Sequence, residues 1–176
     1  MLRSLFIGLS QNKTVRRWAE QSRTGRRLAS RFVAGLSVDE AIAVCHQVNA
    51  QGIAVSLDSL GESVTDEAEA RAAAEIYHRL LDAIARERLN ANVSLKMTQM
   101  GFDIRPELAE LIVAEILQHA AAAKSFVRID MEASQYTQAT IAMTERMHSR
   151  FPGTVGTVLQ AYLYRTHEDA ELHRFG

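Results

Sequence analysis

One lysine in this sequence stands where lysines rarely stand. Lys96 lies between Leu95 and Met97 in the apolar run NVSLKM, residues 92–97. An ammonium there needs a carboxylate or a ligand to offset its desolvation. Acids close two other apolar runs: Asp58 follows IAVSL (53–57), and FVRID (126–130) ends in Asp130, with Met131 and Glu132 next. A fourth run, VGTVLQA (155–161), carries Gln160, with Tyr162 and Tyr164 close behind. An ammonium, carboxylates and an amide can bind and orient a polar ligand through charge-assisted hydrogen bonds. Each position also has a plain structural explanation, since an acid at a strand end is commonly a turn or cap residue. Convergence of all four would separate the two readings. Asp130 and Glu132 are two residues apart, so they face the same way if the strand continues that far.

Other chemistries find less support. The acids are spread over separate segments with no histidine at ligand spacing, so no metal site is assigned. No Ser-His-Asp arrangement or nucleophile elbow is present. His46, His78, His119, His148, His167 and His173 fall on expected helices or their edges. Most are read as solvent-facing, and none is assigned to catalysis.

The elements that must position these groups repeat. Residues 1–50 read as helical, with Ser37 as N-cap of VDEAIAVCHQVN and Gly52 just past its end. Four β-rich runs follow, at 53–57, 92–97, 126–130 and 155–161, each short and mostly apolar as a buried parallel strand should be. Helical patterns separate them. The first is capped by Thr65 or Asp66, the second runs from Pro106 to Ala122, and the third from about Tyr136 to Ser149. The last opens near His167. Strand-loop-helix repetition specifies an α/β fold with a parallel sheet, either an open doubly wound sheet or a (β/α)8 barrel. A dinucleotide fold wants a glycine-rich phosphate loop at its first βα turn. The sequence there is DSLGE, with one glycine and two acids. In a barrel, the C-terminal strand ends share the face that carries the active site.

Bulk properties set outer bounds. With 176 residues, 47% of them hydrophobic, the chain can form a proper core. A net charge of -1 gives no electrostatic signal for nucleic acid. The single cysteine, Cys45, excludes an internal disulfide and reads as a small buried side chain. No apolar run approaches a membrane span. The N-terminal MLRSLFIGLSQ is broken at Ser10 and lacks a small-residue cleavage site, so it is not read as a signal peptide. Arg16, Arg17, Arg23, Arg26, Arg27 and Arg31 make this end basic. A solvated helical face explains them, and a peripheral seat on an anionic membrane surface is the alternative.

Taken together, four stretches resemble the proline dehydrogenase family: GIAVSLDSLGESV (52–64), NVSLKMTQMGFDI (92–104), VRIDMEAS (127–134) and VGTVLQAYLYRTHEDA (155–170). They occur in order, each at an expected strand end, and the likeness runs from about Gly35 onward. The resemblance implies a distorted (β/α)8 barrel preceded by helices. Residues 1–50 would be the helical segment packing on it, and 51–176 the first half of the barrel. It implies FAD at the strand ends and hydride transfer from L-proline, giving Δ1-pyrroline-5-carboxylate, with a membrane quinone as final acceptor. It also implies a cytoplasmic protein, peripheral at the inner face of the membrane if the basic end serves as anchor. A homo-oligomer is compatible with it, and nucleic acid has no part.

Carried over residue by residue, the resemblance makes Lys96 the lysine that pairs with the substrate carboxylate, and Asp58 the acid that orients it. Asp130 would line the flavin and substrate pocket, next to Met131. Gln160 would hydrogen-bond the flavin ring, and Glu62 would form an ion-pair gate over bound substrate. The implied catalytic set is thus Lys96, Asp130 and Glu62, the substrate set Lys96 and Asp58, and the cofactor set Asp130, Met131 and Gln160. The family's flavin-binding arginine and lysine on the fifth strand, and the paired arginines of its eighth helix, have no counterpart in these residues. The expectation is a half-barrel, marginal and inactive alone, that either pairs with another half or is a truncated form of the enzyme. The competing expectation is a non-catalytic or self-pairing βα scaffold whose strand-end groups are unused. An unrelated barrel enzyme acting on a phosphorylated metabolite is a third.

Overall fold

The structure, a computed structural model, describes residues 33–61 and 64–172. Residues 1–44 and 45–176 group into two compact units. The basic N-terminal helix expected from the sequence lies outside the described residues, and so does Glu62. Helix α1, Val38–Asn49, starts as its cap residue dictates. The Ser37 hydroxyl accepts from Glu40 N at 3.3 Å, and Glu40 Oε2 accepts from Leu36 N at 2.7 Å. Two backbone N–H groups at the helix start are thereby satisfied, much as in a capping box.

The second unit is built of strand-helix repeats: β1 (Val55–Asp58), α2 (Glu67–Glu87), β2 (Ala91–Leu95), α3 (Pro106–Ala122), β3 (Val127–Ile129), α4 (Thr137–Arg150), β4 (Val155–Thr157) and α5 (Thr166–Leu172). The four strands pair in parallel in the order β1-β2-β3-β4. An unreversed order settles what composition left open. A doubly wound sheet reverses direction at a switch point, whereas a barrel adds each strand beside the last. Right-handed crossovers then put the intervening helices on one side of the sheet.

That side is the core. Leu57, Val93, Leu95, Val127, Ile129 and Val155 of the strands are buried. So are Tyr77, Leu81, Ile112, Leu117, Ile141 and Met147 of the covering helices. Helix α2 packs on α3 and β2, and α4 on β4. The Cys45 thiol is also buried, as expected, and burial pushes its pKa up. Alternation sends the intervening residues Ser56, Asp58, Asn92, Ser94, Arg128 and Gly156 to the other, helix-free face. The register lines up Asp58, Ser94, Arg128 and Gly156 across the sheet.

Helix boundaries follow their capping chemistry. Asp66 accepts from Glu69 N at 2.9 Å to open α2, while Arg88 closes it in the left-handed conformation at φ 53°. Pro106 occupies the first turn of α3, where a missing N–H costs nothing. Gly101, at φ +88°, turns the chain between β2 and α3 where a side chain would crowd Leu108 and Ala70. The strands differ more from expectation. β1 starts at Val55, not Ile53, and Ile53 is exposed. β4 stops at Thr157 rather than Ala161, and β3 at Ile129 rather than Asp130. Pairing, not side-chain character, sets these ends. One ladder bond does continue past β3, from Asp130 N to Leu95 O at 2.8 Å. Among the described residues, no helix is long and apolar enough to cross a membrane.

Candidate active site

Leu95 and Ile129 are paired Cα partners at the ends of their strands. The next residue of each, Lys96 and Asp130, therefore emerges side by side on the helix-free face. Asp58 ends β1 opposite Ser94, diagonal to Lys96 and within reach of a long side chain. The result is a five-residue network. Lys96 Nζ donates to Asp58 Oδ2 at 2.7 Å and lies 3.6 Å from Asp130 Oδ2. The Ser94 hydroxyl donates to Asp130 Oδ1, and the Tyr77 hydroxyl lies 3.2 Å from Asp58 Oδ1. The structure thus brings together Lys96, Asp58 and Asp130, three of the groups singled out in the sequence.

The electrostatics follow from this geometry. Burial works against the Lys96 ammonium, but the hydrogen bond and charge of Asp58, with the charges of Asp130 and Glu132, outweigh it and raise its pKa. Lys96 is therefore a stable cation at neutral pH. Its side chain is 21% exposed, against 29% for Asp58 and 26% for Asp130. The group is sheltered yet open enough for a ligand to reach it. One ammonium between two carboxylates leaves the cluster with a surplus negative charge. A cluster of that kind suits a ligand carrying both an anion for Lys96 and a cation for the acids.

Several partners in this network were invisible in the sequence. Tyr77 is fully buried on α2, and Gln99 is buried in the β2–α3 loop. The Tyr77 hydroxyl is 2.9 Å from Gln99 Oε1, and Gln99 Nε2 donates to Ser59 O at 3.2 Å. Burial, and then the charge of Asp58, push the Tyr77 phenol far up, so it remains a proton donor. Glu132 does not join Asp130 at Lys96. Its carboxylate accepts from Thr98 N at 3.1 Å and from the Thr98 hydroxyl, bracing the β2 loop against the end of β3. These contacts cross between elements, and only the polar character of Ser94 within a mostly apolar strand hinted at any of them.

Gln160 sits where a ligand donor could meet it. Its backbone carbonyl accepts from Leu163 N at 3.1 Å and from the Thr166 hydroxyl at the start of α5. Its side-chain Nε2 donates to Met131 O at 3.2 Å, which ties it to the segment of Asp130 and Glu132. Its Oε1 is buried and has no partner among the described residues. A buried acceptor without a donor is costly unless a ligand N–H fills it. A flavin ring, the group the family resemblance implies, carries such an N–H. The Met131 side chain is itself buried, and what this residue offers Gln160 is its carbonyl. Tyr162 and Tyr164 are exposed.

Two histidines depart from the solvent-facing expectation. His78 and His119 stack half-buried between α2 and α3, with Nδ1 atoms 2.9 Å apart and His119 Nε2 3.0 Å from Asp82 Oδ1. Both lie on helices that cover the sheet. Among the described residues, no group of three or more His, Cys, Asp or Glu side chains could hold a metal ion.

Comparison with known proteins gives this geometry a context. The family profile for proline dehydrogenase matches residues 41–174. Proline dehydrogenase 1 of Bacillus subtilis (strain 168) is 39% identical over 170 residues, covering 96% of this chain and 55% of the relative. Proline dehydrogenase of Deinococcus radiodurans is 31% identical over 147 residues, 79% of this chain and 46% of the relative. The chain thus spans about half the length of the curated relatives it matches. Among solved structures, proline utilization A from Bdellovibrio bacteriovorus inactivated by N-propargylglycine superposes with TM-score 0.76 at 23% identity, over 84% of this chain and 18% of that one. Proline utilization A from Corynebacterium freiburgense superposes with TM-score 0.69 at 22% identity, over 92% of this chain and 18% of that one. At such identities the superpositions speak for the fold, that of a TIM-barrel-like domain.

Proposed function

The chain belongs to the proline dehydrogenase family, and from that premise we propose that residues 45–172 supply part of an L-proline-oxidising site. The reaction is FAD-dependent conversion of L-proline to Δ1-pyrroline-5-carboxylate, with electrons passing to a quinone. The observation that carries the proposal is the Lys96 ammonium held between Asp58 and Asp130 on the helix-free face. Proline at neutral pH carries one carboxylate and one secondary ammonium. The carboxylate has its counterion in Lys96, and the ring ammonium has Asp58 or Asp130.

Gln160, tied to Met131 O, would hold the flavin through its unpartnered Oε1, a side-chain turn bringing that buried atom to the ring, and Asp130 would line the same pocket. When bound, FAD supplies the two-electron acceptor chemistry, which no amino-acid side chain provides. The residues of this chain do the positioning. Lys96 fixes the substrate carboxylate and so the presentation of the ring. Asp58 and Ser94 hold Lys96 and Asp130 in place. Glu132 and Thr98 pin the loop that follows Lys96. Such fixed geometry is how a protein lowers a barrier when a cofactor does the chemistry.

Among the described residues β1 and β4 each pair on one side only, so closing the barrel takes strands other than β1–β4. We propose that the site works in that closed form and is inactive without it. A membrane quinone as acceptor places the reaction at the cytoplasmic face of the inner membrane. The test is proline-dependent dye reduction by the barrel-complete, flavin-loaded protein. Reduction that needs L-proline, and needs far more of it in Lys96→Met with flavin retained, supports the reading. A flavin-loaded protein indifferent to L-proline would end it and favour an unused βα scaffold.

A further inference from the structure

We propose that Tyr77 is a positioning residue of the Lys96 site: its buried hydroxyl, shared between Asp58 and Gln99, sets how Asp58 holds the Lys96 ammonium. The inference rests on the proline-site reading for its functional consequence, but its geometry stands independently.

The hydroxyl has one proton and two acceptors within reach. Asp58 Oδ1 is at 3.2 Å and Gln99 Oε1 at 2.9 Å. Gln99 has its amide nitrogen committed to Ser59 O at 3.2 Å, so its oxygen is the atom turned to Tyr77. The ionised carboxylate is acceptor-only, so the only proton between it and Tyr77 is the phenol's. Tyr77 is wholly inaccessible to solvent. The other oxygen of Asp58, Oδ2, receives the Lys96 ammonium at 2.7 Å. Asp58 therefore stands between two donors, one from the core of α2 and one from the ligand face. The more density Tyr77 takes from Asp58, the looser Asp58 holds Lys96, and the freer Lys96 is to meet a ligand carboxylate. Gln99 draws the same proton away and works in the opposite direction. No part of this depends on the sheet face alone, since α2 packs on β2 and the hydroxyl reaches past that layer to the end of β1.

Two variants separate this role from simple packing. Tyr77→Phe keeps the ring and removes only the hydroxyl. With Asp58 left to Lys96 alone, the Lys96 titration, followed by NMR of side-chain-labelled lysine, moves to higher pH. In the barrel-complete, flavin-loaded protein, KM for L-proline rises about threefold to tenfold while kcat stays near that of the parent. Gln99→Met frees the hydroxyl for Asp58, and the Lys96 titration moves to lower pH. Opposite shifts in the two variants are a signature that lost packing does not produce. If both variants leave the Lys96 titration where it is, Tyr77 does not position Lys96 and the proposal is overturned. If the titration shifts as stated but Lys96→Met leaves KM for proline unchanged, the positioning stands and the proline-site reading is what fails.

Discussion

Replacing Lys96 with Met keeps most of the side-chain volume and removes the charge. The ammonium is engaged at 2.7 Å with Asp58 and lies 3.6 Å from Asp130, with its side chain only 21% exposed. A substrate carboxylate docking there makes a charge-assisted hydrogen bond in a sheltered setting, worth about 1.5–3 kcal/mol. Part of that attraction is already spent on Asp58, which favours the lower half of the range. KM for L-proline should rise roughly tenfold to fortyfold. kcat should fall less, since the flavin contacts of Gln160 are untouched. The variant also leaves Asp58 and Asp130 facing each other without their cation, so its stability in urea at neutral pH should fall. The assay is steady-state dye reduction over a proline series, paired with urea denaturation at neutral pH. A KM within twofold of the parent, in a folded variant, would make Lys96 a structural lysine and refute the reasoning.

Three further outcomes follow from the same geometry. The Lys96 pKa is raised above the ordinary lysine value of 10.5, so its contribution to stability is fully present below that value and is lost as pH climbs through the raised one. The stability gap between the parent and Lys96→Met should therefore close in strong alkali, and a gap that stays constant there would contradict the ion-pair origin. Glu132→Ala leaves Thr98 N and its buried hydroxyl without their acceptors, which should cost about 1–3 kcal/mol in urea unfolding; a change within about 0.5 kcal/mol would mean that the loop is pinned by other contacts. Gln160→Leu removes the open acceptor and should weaken FAD binding about threefold to tenfold in a flavin fluorescence titration, whereas an unchanged affinity would take Gln160 out of the cofactor site.

The repeat of β-branched runs ending in polar residues was enough to place Asp58, Lys96 and Asp130 at strand ends, whereas Gln160 lies three residues beyond the end of β4. Helix α3 was legible to the residue, because Pro106 marks its first turn and apolar spacing carries it to Ala122. Strand lengths were not, since Ile53 and Leu159 have strand character but no ladder partner to hold them. Strand order lay beyond composition, because the same βα pattern serves both a sequential and a reversed sheet. The inner partners were also hidden. Tyr77 reads as one more apolar-face residue of a helix, and its contact with Asp58 spans 19 residues. Glu132 looked like a twin of Asp130, yet its carboxylate turns to Thr98, 34 residues away. Periodicity reports which face a residue takes, and not which polar group awaits it there. The gate expected of Glu62 lies outside the described residues.

The central claim is that a lysine and two acids at strand ends, with an amide beyond the end of β4, serve one ligand pair on one side of the sheet. A crystal structure of the barrel-complete protein with FAD and a non-oxidisable proline analogue tests it directly. The analogue carboxylate should lie on Lys96 Nζ, with a flavin N–H on Gln160 Oε1. An analogue bound away from Lys96, or a flavin that leaves Gln160 Oε1 without a donor, would contradict the account.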